Sequence, residues 1–537
     1  MAMGLRTILP TQQYRANIRL DSKNQKVSES SKVTWSFAAI TMTQKQPKGP
    51  RLGVRHLQSF LLFLGLTVMH IARLNVSVAI VAMTNAASTN PNFPEYNWNE
   101  KHKSYILSSF YWGYILTLCP GSFLCRRYGA KVVLFVASFG TAVFSLMTPW
   151  CISWGGWQVF CAIRILQGLF QGVIFPCVTE HLAMWSPPEE RNRLGAFSYT
   201  GTDCGTVLAM FISGMIAKGA MGWPGISYVS GSLCAAWCFL WLIFAANNAT
   251  ESRFIGESEC KYIESSLQHN EDFHDRTIPI PWKAIWTSVP FLALLVTRCS
   301  ETYGLSTLQA EIPSYMNGVL NMDIQSNAVF SSLPFLAMWL LSYVYLIAAD
   351  LLLKKKILSL TSVRKLFNTM SFWIPAAALI GIGFLNEDHK KLAIILMTVS
   401  VGVNSGATIG SSLNTIDLSP NHAGILIGLS NTVANVIPIL TPLIAGEIVT
   451  DKHNRGQWQI VFGLAAIIFF FGNVVFIIWG TAKAQPWDAD DYLHPKDAES
   501  AKEKTPTPQV AEVAPPIDPI LEQQITWPER YTAKAVE

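Results

Sequence analysis

Apolar runs alternate with short polar connections along most of the chain, and a longer polar stretch divides them into two sets. A run of about 20 apolar residues crosses the hydrocarbon core of a bilayer as one helix. The pattern therefore predicts an all-α polytopic membrane protein with twelve spans, near 57–82, 104–124, 131–150, 157–184, 194–217, 225–246, 286–306, 325–350, 366–385, 392–415, 422–446 and 457–480.

The polar flanks complete the domain plan. The ends of the chain are rich in polar, charged and Pro residues, a composition typical of segments without a packed core. We expect a cytosolic arm, a six-helix bundle, a cytosolic middle loop, a second six-helix bundle and a disordered cytosolic tail. Their predicted limits are 1–56, 57–246, 247–285, 286–480 and 481–537.

Composition agrees with a membrane protein and argues against several other classes. Only 14% of the residues are charged and 50% are hydrophobic, whereas soluble domains average roughly 25% charged residues. No Cys or His cluster has metal-ligand spacing, no phosphate-binding G-x-x-x-x-G-K-[ST] motif is present, and no hydrolytic triad is evident. We therefore predict no catalytic residue, no metal site, no cofactor and no nucleic-acid partner.

Basic residues set the expected orientation. The connections on the side of the middle loop hold more Lys and Arg than the opposite connections do, and cytoplasmic loops carry that excess. This asymmetry places both termini and the middle loop in the cytosol. The residues on the basic side are Arg126, Arg127, Lys131, Arg191, Arg193, Lys354, Lys355, Lys356, Arg364 and Lys365.

Arg164 lies inside the apolar run of the fourth span. A charge at bilayer depth costs roughly 3 kcal/mol or more, so such a residue faces a bundle interior or a wet cavity. Gly168, Gln171 and Phe175 recur at helical spacing on the same face. The functional interpretation is an anion site lined by Gln171 and Phe175. The alternative is a structural arginine paired with a neighbouring helix.

Arg73 is a second arginine inside an apolar run, in the first span, with Asn75 close by. Two fixed guanidinium groups in one half suggest a site that requires positive charge, because a guanidinium binds carboxylate or phosphate oxygens through two parallel hydrogen bonds. The alternative is that Arg73 pairs with a carboxylate such as Asp203.

A few acidic and amide side chains within the spans are candidates for binding a co-transported cation. Acids in spans commonly mark ion pathways, although small polar residues there more often serve helix packing. The acids could also be partners of the arginines. The candidates are Asp203, Glu301, Glu311 and Asn414.

Several phrases of the sequence together resemble the anion:cation symporter family of the major facilitator superfamily. They are R-L-N-V-S-V-A-I-V (73–81), S-S-F-Y-W-G-Y-I (108–115), R-I-L-Q-G-L (164–169), W-S-P-P-E-E-R-N-R-L (185–194), N-T-I-D-L-S-P (414–420) and A-Q-P-W (484–487). The family includes sodium-phosphate cotransporters, the lysosomal sialic acid carrier and vesicular glutamate transporters. The chain looks most like the insect inorganic phosphate cotransporters. The resemblance implies a twelve-helix fold in two halves, with Arg73 and Arg164 matching the family's substrate arginines.

Departures from the family pattern narrow the expected substrate. Gln171, Thr179 and Leu107 stand where relatives linked to protons carry Glu, His and His. Glu301 stands where glutamate carriers have an arginine. These differences favour the sodium-phosphate branch.

We therefore expect a secondary transporter, a monomer in the plasma membrane, that couples sodium to the entry of inorganic phosphate or a related anion. The first alternative is a proton-coupled or facilitative carrier of organic anions in an intracellular membrane. The second is a receptor or scaffold without transport, suggested by Arg126, which replaces the acid of the superfamily's loop between spans two and three. A membrane enzyme is the weakest interpretation.

Overall fold

The computed structural model describes residues 50, 52–85, 90–274, 280–489 and 492. Most of the expected N-terminal arm and most of the expected tail lie outside these residues. Within the described ranges all regular secondary structure is helical, without a β-strand.

The first half contains six helices, and a seventh follows in the middle stretch. Their bounds are α1 Val54–Met83, α2 Glu100–Tyr128, α3 Ala130–Gln171, α4 Ile174–Trp185, α5 Pro188–Lys218, α6 Gly222–Phe244 and α7 Glu257–His274.

The second half contains nine helices and one π-helical turn, Thr408–Ser412. The helices are α8 Trp282–Thr287, α9 Val289–Gly318, α10 Ile324–Lys354, α11 Leu360–Gly383, α12 Lys390–Asn404, α13 Leu413–Leu418, α14 Ala423–Ala434, α15 Ile437–Ile448 and α16 Arg455–Trp479. Short 3₁₀ turns lie at Glu387–His389 and Pro486–Asp488.

The third and fourth predicted spans are joined in the structure. Helix α3 consists of two helical segments, one for each of these spans, and the chain reverses direction between them at Gly156, where φ is +61°. Glycine adopts positive φ without the steric cost of a Cβ, so the chain turns here without a separate loop. The fourth span is then completed by α4.

Nine helical segments of the described chain are long and apolar enough to cross a membrane. One of them, Ala130–Trp185, covers 56 residues and makes two passes around Gly156. The more polar helices α2 and α9 are not among the nine, yet α2 packs against α3 and α9 packs against α16, both of which are. With these additions the structure is the expected twelve-span bundle.

The two halves are joined at one end of the bundle. We call it the far end, because α7 lies at the opposite end, which we call the loop end. At the far end Lys101 Nζ lies 2.7 Å from Glu447 Oε2, and Lys218 Nζ donates to Gln325 Oε1 at 3.2 Å. Close helix packing accompanies these bonds, since a Cβ on Gly214 would collide with Ala328.

Within the described ranges, the hydrogen bonds and ion pairs that cross between the halves all lie at the far end. Asn85 on the first half reaches Asn317 on the second in this region. The far end is therefore closed, and the loop end lacks such connections.

Helix α7 packs on the first half rather than standing apart as a loop. Glu259 accepts hydrogen bonds from the backbone N–H groups of Val54 and Arg55 and from Arg55 Nη1 at 2.9 Å. Arg55 is only 2% exposed and also binds Glu190, with Nε to Oε2 at 2.7 Å. The hydrogen bond from Arg55 lowers the pKa of the Glu190 carboxyl below its ordinary value.

Candidate functional site

Arg73 is surrounded by aromatic rings of the neighbouring helix. Its guanidinium carbon lies 5.1 Å from the ring centre of Phe110 and 4.8 Å from those of Tyr111 and Tyr114, all on α2. Such contacts attract a cation without neutralising it. Among the described residues no carboxylate forms an ion pair with Arg73, and Asp203 forms none either. The predicted alternative, an Arg73–Asp203 pair, is not formed.

Arg164 is 3% exposed and is held by neutral acceptors. Its Nη2 donates to the Arg73 carbonyl oxygen at 3.0 Å, and its Nη1 donates to Gln167 Oε1 at 3.0 Å. The guanidinium also lies 4.8 Å from the ring centre of Phe110, while its Nε–H has no partner among the described atoms. Carbonyl and amide oxygens orient a guanidinium but leave its full charge in place.

Both arginines line one cleft between the two halves. The cleft holds about 380 Å³ of atom-free space, part of it open to solvent. The first half contributes the two arginines with Tyr111 and Ser77, and the second half contributes Ser306, Gln309, Ala310, Pro438 and Pro442. Leu74, Val76 and Leu107 complete a largely apolar lining, within which two arginines without a carboxylate partner are suited to a small anion.

Glycines bring the aromatic helix against Arg164. A Cβ on Gly168 would collide with the Phe110 carbonyl oxygen, and one on Gly113 would collide with the Ile165 carbonyl oxygen. Small residues let membrane helices approach to backbone contact. The segments around Phe110 and Arg164 therefore pack at backbone contact, and this packing positions the Arg164 guanidinium group.

Three of the predicted substrate residues lie elsewhere. Gln171 is buried, outside the lining of the cleft, and its Nε2 lacks a partner in the described structure. Phe175 stacks on Tyr199, with ring centres 6.1 Å apart, and does not line the cleft. Asn75 Nδ2 donates to Ser230 Oγ at 2.9 Å.

Asn75 belongs to a second cavity inside the first half. This cavity holds about 280 Å³ of atom-free space and is lined by Asn75, Arg164 and the hydroxyl or amide groups of Ser145, Thr148, Gln167, Ser227 and Ser230. Arg164 borders both cavities, so it separates Asn75 from the central cleft. The structure brings Arg73 and Arg164 together and places Asn75 behind them.

The structure does not gather the four cation candidates into one site. Glu301 Oε2 is 2.6 Å from Arg298 Nη1 and is therefore already paired. Asn414 donates from Nδ2 to the Thr481 carbonyl oxygen at 2.9 Å, and its buried Oδ1 has no described partner. Asp203 is half-buried on α5, and Glu311 is buried on α9. No group of three or more His, Cys, Asp or Glu side chains that could hold a metal ion occurs in the described part of the chain.

Two arginines within the helices of the second half, the half-buried Arg298 and the buried Arg364, are both paired. The π-helical turn brings Ser412 Oγ to 2.6 Å from Arg298 Nη1, beside the bond to Glu301. Arg364 Nε lies 2.6 Å from Asp417 Oδ2, and its Nη1 donates to the Ile409 carbonyl oxygen at 2.9 Å. These guanidinium groups are satisfied within their own half.

Sequence reasoning found the two arginines but missed much of the cleft. Tyr111 lies in the phrase S-S-F-Y-W-G-Y-I, so the motif itself was a signal. Ser306 and Gln309 carried no signal, because a neutral polar residue in a spanning helix is common. They line the cleft only because the two halves meet there.

The fold and the cleft define a class of protein. It is a multi-pass membrane protein with two helical halves around a central cleft, an arrangement that secondary transporters have. The chain belongs to the Major Facilitator Superfamily, whose family model matches residues 62–442. It is a transporter of that superfamily and not an enzyme.

Two named relatives show the branch of the superfamily. A Drosophila melanogaster protein named "Putative inorganic phosphate cotransporter" is 35% identical over 494 residues, covering 88% of this chain and 93% of that protein. Sialin of Homo sapiens is 32% identical over 459 residues, covering 82% of this chain and 91% of sialin. The resemblance inferred from the sequence motifs is thereby confirmed.

A solved structure shows the same fold. The inward-open xylose transporter from E. coli superposes with a TM-score of 0.59 at 12% identity, covering 77% of this chain and 94% of that chain. At this identity the likeness concerns the fold alone.

Proposed function

We propose that this chain carries a small anion, inorganic phosphate or a close relative, across the plasma membrane by alternating access. The observation that carries the proposal is the pair Arg73 and Arg164 in the cleft between the halves, where neither forms an ion pair with a described carboxylate. An anion would supply the missing negative charge.

The geometry favours a compact anion with several oxygens. Arg73 offers guanidinium N–H donors from the first half, and a guanidinium fork matches the spacing of phosphate oxygens. Gln309 faces the same cleft from the second half and can donate a hydrogen bond from its side-chain amide. An anion bound between them would contact both halves, as alternating access requires. The sequence similarity to a protein named as an inorganic phosphate cotransporter supports this substrate class.

The far end is closed in this structure. In the proposed cycle the structure therefore represents the conformation whose cleft opens toward the loop end. The excess of basic residues on the loop-end connections supports a cytosolic position for that end. Both termini and α7 would then lie in the cytosol. The state described would be inward-facing.

Sodium is the proposed coupling ion. A cation that enters with the anion offsets part of its charge and links uptake to the sodium gradient. Asp203, Glu311 and Asn414 remain candidates to bind it or to respond to it. Glu301 is the weakest of the original four, since Arg298 already occupies its carboxylate.

Radiolabelled phosphate uptake into oocytes, with sodium or with choline outside, tests the proposal. We expect uptake in sodium that falls on replacement by choline, and loss of uptake in Arg164→Ala at equal surface expression. Equal uptake in the two cations would eliminate sodium coupling. Unchanged uptake by Arg164→Ala would eliminate the anion site.

The second candidate function is a proton-coupled carrier of organic anions in an intracellular membrane, favoured by the 32% identity to sialin. Flux of a carboxylate driven by a pH jump without sodium would select it. A chain that moves no anion in reconstituted vesicles under any gradient would instead support a receptor or scaffold.

A further inference from the structure

Glu311 is a buried acid that the anion site does not use. It lies on α9, two residues beyond Gln309, and it is 7% exposed. The residues that line the central cleft do not include it. Within the described part of the chain, no hydrogen bond or ion pair reaches its carboxylate.

Glu311 lies on α9 between Gln309, which lines the cleft, and Asn317, whose side-chain oxygen accepts a hydrogen bond from Asn85 of the first half at 3.4 Å. This stretch of α9 therefore belongs to the junction of the halves at the closed far end. The charged residues at the far-end start of α2 include Glu100 and Lys103. Lys103 is buried and already paired, with its Nζ 2.7 Å from Glu100 Oε1.

Other charged groups near this junction do not compensate Glu311. On α15, Glu447 is paired with Lys101 of α2. Lys452 lies in the connection between α15 and α16, and Arg455 lies at the start of α16. Among the described residues neither forms an ion pair with Glu311. On α1, Arg73 faces the central cleft.

Burial without a partner is far less costly for a carboxylic acid than for a carboxylate. An isolated ionised carboxylate in an apolar setting costs many kcal/mol, and in practice the group is neutralised. If the halves separate at the far end, water reaches Glu311 and the ionised form becomes favourable. The protonation state and the closure of the far end are therefore linked.

We propose that Glu311 is a proton-binding site of the far end. Its carboxylate takes one proton from the far-side solution as that end closes, and the carboxylic acid returns the proton to the same side as the end opens. The closed form binds more protons than the open form, so acid on the far side favours closure. The inference rests on the alternating access proposed above but not on the identity of the transported anion.

A cross-link between the halves can measure this closure in the full-length protein in lipid nanodiscs. A carbodiimide joins an amine to a carboxylate that it touches, so it reports the Lys101–Glu447 pair. The two side chains are 2.7 Å apart in the closed far end, and in the proposed cycle they separate as that end opens. The Lys261–Glu257 pair, 2.6 Å apart within α7, provides an internal reference for the pH dependence of the chemistry. Mass spectrometry gives the ratio of the two products.

We expect this ratio to rise in the wild type as the pH falls from about 8 to about 6, by up to roughly tenfold per pH unit if one proton is linked to closure. Glu311→Gln, a permanent mimic of the neutral acid, should give a high ratio at every pH. Glu311→Asp should retain a slope. Glu387→Gln, at an exposed far-end acid bound to Asn321, should behave as the wild type.

A flat ratio in the wild type would overturn the inference, as would a wild-type slope in Glu311→Gln. A loss of slope in Glu387→Gln would also contradict it, because the pH response would then have another origin. The measurement needs neither phosphate nor sodium. A chain that fails the phosphate uptake test can thus still show proton-linked closure, and the two proposals fail separately.

Discussion

The two halves of the bundle treat the arginines within their helices in opposite ways. In the first half Arg73 and Arg164 meet aromatic rings, backbone carbonyls and a glutamine, with no described ion pair. In the second half Arg298 and Arg364 each contact a carboxylate at 2.6 Å. Whether an arginine keeps its charge available or is paired thus depends on whether the adjoining groups are neutral or carboxylates.

The difference supports the proposed position of the anion site. A paired arginine is neutral as a unit and has little attraction left for a solute, whereas an arginine held by neutral groups keeps its charge available. The first half therefore supplies the attraction, and the second half supplies hydrogen-bonding groups such as Gln309. The arginines of the second half stabilise their own helices.

The largest effect should follow from Arg73→Gln. Each lost charge-assisted hydrogen bond to the anion costs roughly 1.5–3 kcal/mol, so loss of two raises the KM for phosphate by about 100-fold or more. The measurement is concentration-dependent phosphate uptake, normalised to surface expression.

Removal of a paired arginine together with its acid is the matched control. The double variant Arg298→Gln/Glu301→Gln removes one arginine together with the carboxylate that neutralises it, so the net charge is unchanged, and it should change the KM far less. If the double variant is as impaired as Arg73→Gln, the contrast between the halves is wrong.

The next effect concerns stability. Asp417→Asn leaves Arg364 buried without its partner, and removal of one member of a buried pair costs about 3 kcal/mol. We expect a lower midpoint of thermal unfolding in detergent. The matched variant Asp203→Asn, at an acid with no described ion pair, should unfold near the wild-type temperature. Equal losses in the two variants would show that the Arg364–Asp417 pair adds no stability.

A smaller effect is expected for Glu301→Gln. The variant frees Arg298, which adds a third uncompensated cation, and we expect the KM for phosphate to fall by about threefold, within 1 kcal/mol. Sodium dependence should persist, because the Glu301 carboxylate is occupied by Arg298 in the wild type. Phosphate uptake at graded sodium measures both. If Glu301→Gln abolished the sodium dependence of uptake, Glu301 would instead be the residue that couples sodium to transport.

The last effect, comparable in size, is at Tyr111. A cation–π contact contributes about 0.5–2 kcal/mol, so Tyr111→Leu should raise the KM several-fold through disorder of Arg73. Tyr111→Phe keeps the ring and should transport almost normally. A severe defect in Tyr111→Phe would mean that the hydroxyl group itself contacts the anion.

The sequence predicted the fold and the two arginines because each follows from a physical constraint that a short stretch of chain reveals. Long apolar runs must be helices in a bilayer, and an arginine within one must face the interior. The same reasoning misplaced Asn75. Residues two positions apart on a helix point about 200° from one another, so Asn75 faces away from Arg73 and enters the second cavity.

Gln171 and Phe175 show a different limit. They share a helical face with Arg164 in an ideal helix. Gln171, however, is seven residues from Arg164, which places it about 10 Å further along the helix axis. The helix also ends at Gln171 before α4 begins at Ile174. The contributions of Ser306 and Gln309 depended on how the halves dock, which no local pattern in the chain encodes.

The attachment of α7 determines where this polypeptide can be divided. A fragment that stops at 246 would lose Glu259, and Arg55, buried in the intact chain, would keep Glu190 as its sole acidic neighbour. A cut after His274 leaves that three-residue cluster whole. Co-production of 1–274 with 275–537 is thus the natural route to reassembling the transporter from two pieces, and segmental isotope labelling of either piece becomes practical.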